Sequence, residues 1–160
     1  KEAGFICQPA LFFRRSVIDR FGLFDESLNY AMDYEYWLRV GRDGGKFTYM
    51  EIKLAASRLY AENKTMSARL AICKEAIHIH KTLFGVVPDF WLYMYGFAKA
   101  NESNSGKSSA IFTNFRAAGY ALVSSLQWNK KISFTMIINL GSRFFKELFQ
   151  LVQNPISGRK

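Results

Sequence analysis

Read as a string of apolar and polar positions, the chain changes texture near Thr65. Before it, short elements of mixed type alternate with turn residues; after it, apolar residues recur at helical spacing. Phe5 to Phe13 reads as a buried strand ending at Arg14-Arg15, with Pro9 marking an irregularity because proline cannot donate to a sheet ladder. Ser16-Val17-Ile18-Asp19 has the form of a capping box and Gly22 that of a helix-ending glycine, so a short helix is expected from about Ser16 to Phe21. Lys46 to Met50 and Ile52 to Arg58 read as two further strands.

Between these lies an acid-rich run, Phe24 to Arg39, that opens a helix. Asp33 stands at its mouth, where a carboxylate can take the first free backbone N–H groups, and Glu35 falls in the first turn. Tyr36, Trp37 and Val40 form an apolar stripe, while Asp33, Arg39, Arg42 and Asp43 are left for solvent or a cleft; Gly44-Gly45 ends the helix. Downstream, helices are expected over Met66 to Phe84, Asp89 to Ala100, Ala110 to Leu126 and Ser133 to Val152. In the third of these, Ile111, Phe115, Leu122 and Leu126 line one side. Two regions follow from the change of texture, residues 1–65 and residues 66–160, with Asn101 to Ser109 a polar internal loop.

With 49% hydrophobic and 16% aromatic residues the chain has the composition of a folded protein. Its net charge of +9 belongs wholly to one part: residues 1–63 carry nine basic and nine acidic side chains, residues 64–160 thirteen basic and four acidic. A basic, aromatic-rich region suits an anionic partner such as a membrane surface or a diphosphate, or is a plain solvated face. Cys7 and Cys73 supply neither a disulfide framework nor zinc spacing, which fits a reducing, cytoplasmic compartment. The longest uncharged runs, Ala117 to Asn129 and Ile132 to Ser142, fall short of the roughly 20 residues that a membrane span needs. Basic residues are dispersed and no nucleic-acid motif appears, so no nucleic-acid partner is expected. Gly106-Lys107-Ser108 lacks the rest of a P-loop, and His78 and His80 point to different helix faces and make no metal pair.

On the residues alone, Asp33 is either a helix cap or a general base. Three blocks bear on the choice: Gln8-Pro9-Ala10-Leu11-Phe12-Phe13-Arg14-Arg15, Gly22 to Glu26 leading into Met32-Asp33-Tyr34-Glu35, and Ser57-Arg58-Leu59-Tyr60 followed by Asn63-Lys64-Thr65. In order and separation they resemble the family 2 glycosyltransferases of the GT-A fold, over roughly residues 4–65. The resemblance implies an α/β fold class: the C-terminal part of a GT-A, Rossmann-like catalytic domain, followed by a mainly α-helical extension. It implies a chain that begins partway through that domain, without the nucleotide-binding half, and a fragment inactive by itself. The reaction implied moves a sugar from a nucleotide-sugar donor to a hydroxyl of a saccharide or lipid-linked acceptor, with inversion.

Asp33 then becomes the general base, with Glu35 the alternative because the acidic block departs from the family's commoner Glu-Asp-x-Asp. Asp25 and Glu26 would shape the acceptor side, Gln8 would bond the donor or position the acidic loop, if it does not simply satisfy backbone groups beside Pro9, Lys64 would lie near the diphosphate, and Arg58 would join the substrate-binding residues. Tyr60 stands where relatives have a metal-holding histidine, so a divalent magnesium or manganese cofactor would be bound mainly by residues outside this chain. Wide apolar faces beside Lys130, Lys131, Arg143 and Lys146 suit either peripheral docking on an anionic membrane or packing on protein. The reading from a different class is a non-catalytic helical module that docks to a membrane or a partner.

Overall fold

The computed structural model describes residue 6 and residues 8–56, 68–102 and 110–142. A 3-10 turn, Gln8–Ala10, precedes α1 (Arg15–Phe21), α2 (Met32–Arg42), α3 (Arg69–Phe84), α4 (Asp89–Glu102) and α5 (Ala110–Asn129). A sixth helix, α6, covers residues 134–142. Among the described residues there is no strand.

That finding overturns the α/β expectation and the assignment to the GT-A fold with it. The β-like texture of residues 5–13 gives a 3-10 turn and an irregular approach to α1, and Pro9 sits inside the turn. Residues 46–56 are irregular, with Phe47, Tyr49, Met50, Ile52 and Leu54 exposed. Strand preference expresses itself against a neighbouring strand that takes the backbone hydrogen bonds, and among the described residues none is present.

The chain forms two compact units, Lys1–Trp91 and Leu92–Lys160, and α4 crosses the boundary between them. In the first unit, Tyr36, Trp37 and Val40 of α2 form the core, packed by Leu11, Val17, Phe21 and Phe24. Phe24 stacks on Tyr36 at 4.2 Å and Phe13 meets Trp37 edge-on at 5.3 Å. Gly22 adopts φ 81° and its N–H bonds Ile18 O, so α1 ends as its glycine foretells. The Ser16 box is absent: the residue before α1 is Arg14, with no side-chain cap. Tyr36 Oη donates to Gly22 O, and Arg39 donates to Phe21 O and Leu23 O, so α2 itself clasps the turn that feeds it.

The second unit is built on close backbone approach. A Cβ placed on Gly96 of α4 would lie 2.3 Å from Ala117 O and 3.0 Å from Ala121 N of α5. The buried side of α5 is accordingly small, with Thr113, Ala117, Ala121, Ser124 and Ser125. This differs from the expected side through Ile111, Phe115, Leu122 and Leu126, of which Phe115 and Leu126 are exposed. Ser125 Oγ donates to Lys131 O, and Ser133 Oγ accepts the Met136 N–H as a helix cap for α6. Tyr93 Oη donates to Met136 O and ties α4 to α6. No described helix is long and apolar enough to cross a membrane.

Candidate functional site

A second face of α2 carries Asp33, Tyr34, Trp37, Leu38 and Gly41, a spacing that sets them along one side of a helix. This face borders a cavity of about 540 Å³. Its remaining wall comes from Phe47 after α2, Ile72 and Phe84 of α3, and Trp91 at the start of α4. All lie in the first unit. The volume is that of an ordinary small-molecule site, mostly aromatic and aliphatic, with Asp33 and Arg42 as charged groups.

Two of the lining side chains, Tyr34 and Trp91, join a hydrogen-bond chain that continues to His80 behind the wall. Trp91 Nε1 donates to Tyr34 Oη at 2.9 Å, and Tyr34 Oη lies 2.7 Å from His80 Nε2. An indole N–H can only donate, so the hydroxyl is the acceptor there and its own proton is free for Nε2. That arrangement needs a neutral His80 protonated on Nδ1. Burial pushes the His80 pKa below its ordinary 6.5, which favours the neutral ring. Burial likewise raises the Tyr34 phenol, against the opposing hydrogen bond from Trp91, so the proton stays on oxygen.

Trp37 supplies a different polar signal. It is 7% exposed, borders the cavity, and its buried Nε1 has no hydrogen-bond acceptor among the described residues. A buried donor left unpaired costs about 1–3 kcal/mol.

The beginning of α2 is held from elsewhere. Ala31, not Asp33, is the residue that precedes the helix, and it makes no side-chain cap. The Glu75 carboxylate on α3 accepts the N–H groups of Asn29, Tyr30 and Ala31 at 3.0, 2.9 and 2.9 Å. Glu75 thus holds the loop that leads into α2, whereas the helix's own first turn meets Asp33. Asp33 Oδ1 accepts the Tyr34 N–H at 2.7 Å, its one hydrogen bond among the described residues, and it makes no ion pair there.

The other anticipated residues lie elsewhere. Glu35 is buried and forms a bidentate pair with Arg39, Nε–Oε1 2.7 Å and Nη2–Oε2 3.1 Å, which holds the guanidinium pKa above its ordinary value. Asp25 is exposed and accepts from Ser27 N and Ser27 Oγ, bonds that lower its carboxyl pKa. Glu26 and Gln8 are exposed, and neither they nor Glu35 and Asp25 line the cavity. Arg58, Tyr60 and Lys64 lie outside the described residues. Among the described residues no three His, Cys, Asp or Glu side chains gather as a metal site, so they offer no ligand set for the anticipated divalent ion and no step below runs through one.

Tyr34, His80, Trp91 and Glu75 have no place among the sequence-derived site residues. The spacing of Tyr34, Trp37, Leu38 and Gly41 carries the signal for the cavity wall; the partners on α3 and α4 carry none, because their pairing is set by tertiary contact.

Comparison with protein-family models, with curated proteins and with solved structures finds no match to this chain. The absence of strands among the described residues removes the fold that the three sequence blocks implied, and no family takes its place.

Proposed function

We propose that the cavity takes a hydroxyl-bearing ligand of saccharide size and that Asp33 accepts a proton from one of its hydroxyls. The observation that carries this reading is the contrast between two carboxylates two residues apart. Glu35 is tied to Arg39, whereas Asp33 lines the aromatic cavity with no cationic partner among the described residues. A carboxylate is an acceptor for hydroxyl protons, and aromatic faces offer a flat apolar surface to sugar rings.

The finer reading is sugar transfer with this chain supplying the acceptor side. As the acceptor oxygen attacks the anomeric carbon of a nucleotide-sugar, its proton passes to an Asp33 carboxylate oxygen. The bond from that carbon to the departing nucleoside diphosphate breaks with inversion. Asp33 returns the proton to water.

The test has two arms. Ligand-observed NMR with neutral mono- and oligosaccharides reads binding, and nucleotide release from a panel of nucleotide-sugars reads transfer. Both signals support the full reading. Saccharide binding without release keeps the site and removes the chemistry, and binding of apolar probes alone overturns both.

A further inference from the structure

Helix α5 is inside out. Its buried side is Thr113, Ala117, Ala121, Ser124 and Ser125, while Phe112, Phe115, Val123 and Leu126 lie on the exposed side, Val123 at 62% exposure. Positions 112, 115, 119, 123 and 126 fall at the three- and four-residue spacings of a single stripe. Across the corner 130–133, α6 repeats the pattern: Met136 is buried, whereas Phe134, Ile137 and Ile138 are exposed, Phe134 at 76%. Water would place the large apolar residues inside and the small polar ones outside.

Charge selects the occupant. Residues 110–142 contain Arg116, Lys130 and Lys131 and no acidic side chain. Both lysines are exposed at the corner between the two apolar stretches. Lys130 has φ 60°, and the Lys131 carbonyl is held by Ser125 Oγ, so the backbone of the corner is fixed while the ammonium groups face out. A second copy would bring a +9 chain against a like-charged one. Anionic headgroups over an apolar interior match both features: exposed Phe, Val, Leu and Ile side chains enter the acyl boundary and lysines meet the headgroups. No described helix is both long and apolar enough to cross the bilayer, and the proposed contact is peripheral.

We infer that the corner formed by the end of α5, Lys130-Lys131 and α6 is a docking surface for the interface of a bilayer containing anionic lipids. Co-sedimentation of the chain with vesicles of phosphatidylcholine alone, or mixed with phosphatidylserine, tests it. Binding should be strong to the mixed vesicles and should fall with added salt. A Lys130→Asn/Lys131→Gln variant, whose asparagine tolerates the positive φ, should bind at least about tenfold more weakly. Phe134→Ser/Ile138→Ser alters only exposed positions and should also weaken binding without loss of helical circular dichroism. Equal binding to neutral and anionic vesicles, or none to either in a chain shown to be folded, overturns the inference. Lipid-free dimerisation lost in Phe134→Ser/Ile138→Ser overturns it in favour of a second copy.

Discussion

The Glu75 carboxylate accepts the Ala31 N–H at 2.9 Å across 44 residues of chain, and through that bond α3 fixes where α2 begins. Asn29 and Tyr30 donate to the same carboxylate. Asp33 follows within the first turn, so the carboxylate that lines the cavity is positioned by one that does not.

Replacing Glu75 by Gln removes the charge and one acceptor oxygen from three backbone donors. The unfolding free energy should fall by about 1–3 kcal/mol, as read by urea denaturation. A change below about 0.5 kcal/mol would show that water caps the loop equally well.

The Trp91–Tyr34–His80 chain requires a neutral imidazole. Because burial lowers the folded-state pKa of His80 below 6.5, the unfolded chain binds more protons in the interval between the two values. Stability conferred by the neutral ring is therefore complete above 6.5 and is lost as the pH falls through that interval to the folded-state value. Denaturation midpoints of the chain and of His80→Gln, measured on both sides of 6.5, should converge as the pH drops. Parallel curves would contradict the assignment.

Gly96→Ala puts a methyl group where Ala117 O stands 2.3 Å away, against backbone that cannot rotate aside. Destabilisation of about 1–3 kcal/mol is expected by thermal or chemical melting. The same change at Gly119, whose Cβ would meet nothing, should be neutral or slightly stabilising and serves as the control.

Cys73 is buried and its thiol is pushed up to about 11 by desolvation. In a Cys7→Ser background, a thiol reagent at neutral pH should label Cys73 only at the rate of local or global opening. Rapid labelling of the folded chain would show the thiol to be accessible.

Much of α2 was legible from its own residues. Tyr36, Trp37 and Val40 occupy the core as their spacing requires, and Gly22 ends α1 at a positive φ open to glycine. The strands were not. Residues 46–56 have the side chains of strands, but pairing is a tertiary event and the described chain supplies no edge to meet them. On α5, hydrophobic pattern reading places large apolar residues inward, whereas close approach to Gly96 demands small ones there. At the site, Asp33 stood out by its position among acids. Asp33 takes the Tyr34 N–H of the first turn, whereas the hold on the loop before the helix comes from Glu75, 42 residues further along the chain, which nothing local foretells.

The most direct measurement is saccharide affinity by ligand-observed NMR for the chain and for Asp33→Asn, which keeps shape and removes charge. Loss of a charge-assisted hydrogen bond predicts weakening by about tenfold or more, with the fold unchanged by circular dichroism. Equal affinity in the two proteins would contradict Asp33 as the acceptor of a ligand hydroxyl, and with it the proton transfer proposed for the site.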